Sequence, residues 1–182
     1  MGAEGTDAAP RIFHAVRAIP YGSTGHRDPL AVLDANRGSC SGKHILLRDL
    51  LRTLGCEAET ETVFTHFNKG VPDHPDMPDA LRRMLREGEV WDYHHYVALE
   101  QGGARVKLDA TWHDALIPFG FPVNHSWSGR GDTRLAAEPV RAYGAHEDVI
   151  DLKRKLIAAL PAEQRRRRER FLRLLTDWMA HL

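Results

Sequence analysis

Residues 38–54 read GSCSGKHILLRDLLRTL, and this stretch decides the fold. Small residues surround Cys40, and after them isoleucine and leucine side chains recur at helical spacing. Gly55 follows as a C-terminal stop, because glycine adopts the left-handed conformation that ends many helices. The pattern predicts a central, buried helix from near Cys40 to Leu54.

The sequence after this helix predicts an antiparallel sheet. Residues 56–67 alternate between two faces as a strand would. Residues 93–99 and 104–108 are also strand-like, and Gln101-Gly102-Gly103 between them is typical of a hairpin turn. Residues 109–143 are rich in glycine, proline and aromatic side chains, and we expect them to be mostly loop.

Two further helices are predicted at the C-terminal end, over 147–160 and 161–182. The second is amphipathic, so its apolar side should pack on the core. Its arginine run predicts a solvated surface or a surface for a protein partner. The run consists of Arg165, Arg166, Arg167, Arg168, Arg170 and Arg173.

Composition narrows the possible classes of protein. The 182 residues include 25 Lys and Arg against 25 Asp and Glu, so no net charge attracts nucleic acid. Neither a signal segment nor a membrane-length apolar run is visible, which predicts a cytoplasmic protein without a membrane partner. Only two cysteines are present, too few for a disulfide framework. The question is therefore whether one of them is a nucleophile.

Cys40 is the better candidate nucleophile. It immediately precedes a strong helix, where unpaired backbone N–H groups and the helix dipole favour a thiolate. Its own N–H could also donate to an oxyanion. A buried, inert cysteine at a tight turn is the alternative. Cys56 follows Gly55 into a strand and is predicted to lie in the core.

A thiolate nucleophile needs a base and a group that orients the base. Antiparallel pairing of the hairpin brings His94 and His95 on one strand near Asp109 at the end of the other. Alternation places His94 on one face with Tyr96 and His95 on the opposite face with Val97. Periodicity alone leaves either histidine open as the base.

Three blocks of sequence occur in an order known from other proteins. They are Gly38-Ser39-Cys40 at a helix start, Tyr93-His94-His95-Tyr96 on a strand, and Asp109-Ala110-Thr111 at a strand end. Over about residues 28–112 the chain resembles the transglutaminase-like superfamily of papain-type cysteine enzymes.

The resemblance implies a catalytic triad. It assigns Cys40 as the nucleophile, His94 as the base and Asp109 as the orienting carboxylate. Tyr96 falls where the family places an aromatic residue, which selects His94 and leaves His95 as the alternative. The usual tryptophan after the cysteine is Ser41 here.

The resemblance also implies a fold and an activity. The expected fold is α+β, a papain/transglutaminase-like core in which a buried N-terminal helix packs on an antiparallel sheet, with two C-terminal helices added. The expected organisation is a flexible N-terminus over 1–10, a catalytic domain over 11–145 and a helical extension over 146–182 packed on the same domain. The expected activity is acyl transfer through a thioester, from an amide or acyl donor to an amine or water, with neither cofactor nor metal.

Other functions remain open at this point. Arg37-Gly38 is similar to the approach to the cysteine in arylamine N-acetyltransferases, and a catalytically inactive binding domain would keep the same residues. Residues 112–127 are candidates for a substrate wall, through Phe119, Phe121, Asn124 and His125. A metal site is a further alternative, built from His66, His74, His94, His95 and His113 with Asp109 or Asp114.

Overall fold

A four-stranded sheet and the helices packed around it form an α+β fold, seen in a computed structural model that describes residues 3–23, 25 and 27–182. None of the described helices is long and apolar enough to cross a membrane. Short 3-10 helices lie at Phe67–Gly70 and Asp114–Phe119. The main elements are α1 (Ala3–Ala18), α2 (Pro29–Asp34), α3 (Cys40–Thr53), β1 (Ala58–His66), α4 (Asp79–Arg86), β2 (Trp91–Gln101), β3 (Ala104–Leu108), β4 (Pro139–Ala145), α5 (Val149–Ala158) and α6 (Ala162–Met179).

The sheet has the strand order β3-β2-β1-β4, and each neighbouring pair is antiparallel. β2 carries both candidate histidines and lies inside the sheet. Its pairing with β3 sets Val97 opposite Leu108, so Asp109 follows directly after the strand that borders the histidines. The sheet therefore brings the candidate base and the candidate carboxylate close together.

α3 is the predicted central helix, and it packs its apolar side on β2. Ser39 caps its start, because the Ser39 Oγ accepts a hydrogen bond from Gly42 N at 3.4 Å. The packing holds Cys40, the first residue of α3, beside the sheet. The core cluster shared by α3 and β2 includes Leu46, Leu47, Leu51, Val97 and Leu99.

The N-terminal segment differs from the prediction. A flexible stretch was expected over 1–10, but α1 already begins at Ala3. Ala9 and Phe13 are buried at helical spacing against the core that holds α3. The buried face of α1 could not be recognised from the small, polar residues at its start, since an alanine contributes little to an apolar pattern. Residues 1 and 2 lie outside the described part of the chain.

β4 is a second difference, because residues 109–143 were expected to be mostly loop. This edge strand pairs only with β1 among the described strands, and it places Ala142 opposite Val63. It begins at Pro139, and all its residues are exposed or half-exposed. A strand without a buried face lacks the alternation of apolar and polar residues from which strands are predicted.

α5 and α6 pack on the same core as the elements before them. Phe171 and Leu175 of α6 are fully buried in one cluster with Phe67 and Leu81. Burial of large apolar side chains is the main favourable term in such docking. α6 is thus joined to the core by an apolar interface, and α5 lies against β1 and β2.

The arginine run of α6 is partly structural. Arg168 is buried and donates from Nε to Asp92 Oδ1 at 2.6 Å. Arg165 donates to the carbonyl oxygen of Ala158 at 2.9 Å, and Arg167 to that of Glu89 at 3.0 Å. These bonds tie α6 to its surroundings.

Candidate active site

His94 and Asp109 form a buried hydrogen-bonded pair. His94 Nε2 lies 2.7 Å from Asp109 Oδ2, and the two side chains are 0% and 1% exposed. Phe67 stacks on the imidazole at a centroid distance of 6.1 Å. Nδ1, on the other side of the ring, has no hydrogen-bond partner among the described groups. A ring whose Nε2 donates to a carboxylate keeps Nδ1 for proton exchange with a thiol.

Asp109 is held in place by several backbone groups. Its Oδ2 also accepts from Ala136 N at 2.7 Å, and its Oδ1 accepts from Thr111 N at 2.9 Å. Its own N–H donates to Thr133 Oγ1 at 2.7 Å. Ala136 can come this close only because residue 70 is glycine, since a Cβ on residue 70 would overlap the Ala136 carbonyl oxygen. The carboxylate is therefore pre-organised.

A second histidine, His44, lies beside this pair. His44 is one turn after Cys40 on α3, and its Nε2 accepts a hydrogen bond from Ala110 N at 2.8 Å. The same nitrogen lies 3.5 Å from Asp109 Oδ1, and its ring meets the His94 ring edge to face. His44 thus fixes the helix of the cysteine to the turn of the carboxylate.

Charge in the site favours a thiolate and an imidazolium. Burial alone would raise the pKa of the Cys40 thiol, but the ammonium of Lys153 and the imidazole of His94 lower it to about 5. Burial alone would lower the pKa of His94, but Asp109, and then Cys40, raise it to about 10. Burial opposes ionisation of Asp109 as well, yet His94 holds the pKa of that carboxyl well below its usual value.

The C-terminal helix α5 supplies a positive charge beside the thiol. Lys153 of α5 donates from Nζ to Cys40 Sγ at 3.7 Å and to Ser41 Oγ at 3.3 Å. Asp92 Oδ1 lies 3.8 Å from the same Nζ and is bound by Arg168. Asp92 therefore anchors α6 and does not contact the base.

Cys40 lies at a narrow cleft, and the residue is 3% exposed. The predicted substrate wall over 112–127 is not part of this lining. Phe121 is buried in the apolar core, and Asn124 donates to the Asp109 carbonyl oxygen at 2.8 Å. The described residues that border the cleft include Tyr21, Ser39, Asp92, Lys153, Arg168 and Leu172.

His95 is not placed to act as the base. Among the described contacts, Asp109 is hydrogen-bonded to His94 and not to His95. Both ring nitrogens are buried without a hydrogen-bond partner among the described residues. Burial, reinforced by Lys153, lowers the pKa of His95 well below its usual value. The His95 side chain is therefore neutral.

The other candidate groups form no metal site and no second nucleophile beside Cys40, His94 and Asp109 among the described residues. Within residues 3–23, 25 and 27–182, no group of three or more His, Cys, Asp or Glu side chains is arranged to hold a metal ion. Cys56 borders a wider groove with Arg52 and Arg105, which contains no triad residue. Burial raises the pKa of the Cys56 thiol, so this cysteine lacks thiolate character.

Comparison with known proteins assigns this chain to no family. It matches none of the family models, and no curated protein is significantly similar to it. The function is therefore inferred from the geometry of the site.

We expect iodoacetamide to alkylate Cys40 with a midpoint near pH 5, because the thiolate is the reactive form and exists above the pKa of the thiol. An unperturbed cysteine would give a midpoint of about 8.5. The rate measured from pH 4 to 9 on a Cys56→Ala variant, which has one thiol, tests this. A midpoint near the unperturbed value would contradict the thiolate assignment.

Proposed function

We propose that this chain is a cysteine enzyme of the papain and transglutaminase type, which transfers acyl groups through a thioester on Cys40. The observation that carries the proposal is the His94–Asp109 pair at 2.7 Å, with Nδ1 of His94 left free beside the thiol of Cys40. The α+β fold with α3 on an antiparallel sheet is consistent with that core. The contacts of His94 and Asp109 therefore support the same triad that the resemblance implies.

The reaction begins with the attack of Cys40 Sγ on an acyl carbon. The carbonyl electron pair moves to oxygen, and the tetrahedral intermediate then expels the leaving group. His94 supplies the proton that an amine leaving group needs, from Nδ1. Asp109 keeps the imidazole in the tautomer with a proton on Nε2 and offsets the charge of the imidazolium. An amine or water then attacks the thioester and gives a proton to His94 Nδ1, and the C–S bond breaks to restore the Cys40 thiolate.

The narrow cleft favours acyl donors with a slim acyl group. Cys40 and Cys56 are 3% and 5% exposed, and Cys56 borders the wider groove, so preferential reaction of Cys40 reports its ionisation and not easier access. Their environments differ, since Lys153 and His94 surround only Cys40. A small activated ester such as p-nitrophenyl acetate is therefore a suitable first probe.

We expect p-nitrophenyl acetate to acetylate Cys40 in the native protein, with a burst of p-nitrophenolate, because only this thiol is ionised at neutral pH. Peptide mapping by mass spectrometry locates the acetyl group, and added hydroxylamine or glycine ethyl ester should remove it. The Cys56→Ala variant should behave like the wild type, and Cys40→Ala should show no burst. An adduct on Cys56, or a burst that survives in Cys40→Ala, would overturn the proposal.

A further inference from the structure

Two of the lysines that the structure describes, Lys43 and Lys153, are buried, and their surroundings differ. Lys43 Nζ donates to three carbonyl oxygens, of Ile19 at 2.6 Å, Thr111 at 3.0 Å and Arg17 at 3.1 Å. An ammonium group has three N–H donors, and here each has an acceptor. Lys43 therefore joins three segments of backbone, and burial lowers its pKa to about 7.

Lys153 lacks such a set of acceptors. Its side chain is 3% exposed, and its nearest described partners are Ser41 Oγ at 3.3 Å, Cys40 Sγ at 3.7 Å and Asp92 Oδ1 at 3.8 Å. Asp92 already accepts from Arg168 Nε at 2.6 Å and from Tyr93 N at 2.7 Å. A buried ammonium with only long contacts is costly unless an anion comes to it.

The charges of the buried side chains around Cys40 show which anion can pair with Lys153. Asp92 is matched by Arg168, and Asp109 is matched by protonated His94. Lys43 is held by three carbonyl oxygens, so among the described groups around Cys40 the cation without a close anion is Lys153, and the remaining anion is the thiolate of Cys40. When the thiolate attacks a carbonyl group, its negative charge moves to an oxygen bonded to the attacked carbon. That oxygen forms next to Cys40 Sγ, which Lys153 Nζ already contacts at 3.7 Å.

We propose that Lys153 is a catalytic residue whose ammonium stabilises the oxyanion formed when Cys40 attacks the acyl donor. This inference rests on the proposed function. The Sγ–C bond forms, the π pair of the carbonyl moves to oxygen, and Lys153 donates a hydrogen bond to that oxygen without giving up its proton. The carbonyl then reforms as the bond to the leaving group breaks. The C-terminal helix α5 thus completes the active site.

The test separates oxyanion stabilisation from ionisation of the thiol. Iodoacetamide and p-nitrophenyl acetate both react with the thiolate, but only the ester forms an oxyanion. Because p-nitrophenolate leaves without a proton, the ester reaction also makes little demand on His94. The ratio of the acetylation rate to the alkylation rate of Cys40, at one pH, therefore reports how strongly the protein stabilises the oxyanion.

We expect Lys153→Met to lower this ratio by about 10²–10³-fold, the usual effect of removing one oxyanion donor. The midpoint of alkylation should also move up in pH, toward the value of a free cysteine. Lys155→Met is the matched control, since Lys155 is on the same helix and is 73% exposed. It should leave both measurements unchanged. An unchanged ratio in a folded Lys153→Met protein would overturn the inference.

Two further comparisons keep the result interpretable. If Lys153→Met does not fold by circular dichroism, Lys153→Arg and Lys153→Ala replace it. Arginine keeps the charge and the N–H donors and should retain the ratio within about tenfold, whereas alanine has no donor and should lose it; equal ratios in these two variants would overturn the inference. If the wild type is alkylated on Cys40 but never acetylated, the proposed function itself fails. If the wild type is acetylated and the ratio does not depend on Lys153, only this inference fails.

Discussion

Replacing His94 with alanine is expected to slow acyl transfer from anilide donors to Cys40 by about 10³-fold or more. The anilide leaving group needs a proton, and His94 Nδ1 is the donor that the structure leaves free beside the thiol. The loss should be smaller with p-nitrophenyl acetate, whose leaving group needs no proton. Single-turnover rates with both donors, on wild type and variant, measure the difference.

The control for this prediction is His95→Ala. His95 is fully buried and has no hydrogen-bond partner among the described residues, so its removal leaves a cavity and no unpaired group. We expect a loss of about 2–3 kcal/mol in the free energy of unfolding and a rate within about tenfold of the wild type. An inactive His95→Ala and an active His94→Ala would mean that His95 is the base.

The register of the hairpin was contained in its turn, but the choice between these histidines was not. Gly102 and Gly103 have φ of 59° and 82°, as a two-residue hairpin turn of type I′ requires. Counting from Gln101 opposite Ala104 sets Val97 opposite Leu108, so Asp109 falls next to the strand of the histidines. Strict alternation would put His94 and Val97 on opposite faces, yet Val97 packs in one core cluster with α3, and the His94 ring meets His44 of the same helix. The pairing of His94 with Asp109 therefore could not be predicted from strand alternation.

The position of Cys40 could also be predicted, because a small-residue start followed by a long apolar helix is a local signal. Lys153 and Arg168 could not be found this way. Both reach the site only because α5 and α6 dock on the core, and docking depends on contacts between residues far apart in sequence. In the sequence, Arg168 is one member of a run of arginines, and nothing local marks it as the buried one.

Asp109→Asn is expected to lower the rate of Cys40 acylation from anilide donors by about 10²–10⁴-fold. The carboxylate accepts from His94 and Ala136 through Oδ2 and from Thr111 through Oδ1, but asparagine has a single oxygen. In either orientation its amide nitrogen faces an N–H group. We therefore expect a loss of about 1–3 kcal/mol in stability, so rates are compared well below the melting temperature.

The pH profile separates the triad role of Asp109 from its role in holding the turn. The carboxylate is the main group that raises the pKa of His94 to about 10. Without it the imidazolium loses its proton at lower pH, so the alkaline limb of the anilide reaction should move to lower pH. Asp114→Asn is the control, because Asp114 is exposed and pairs with Arg17. It should change neither rate nor profile. The asparagine oxygen can still accept a hydrogen bond from Thr111 N or Ala136 N, and that bond needs no charge. A fully active Asp109→Asn protein with an unmoved alkaline limb would therefore mean that Asp109 only holds the turn.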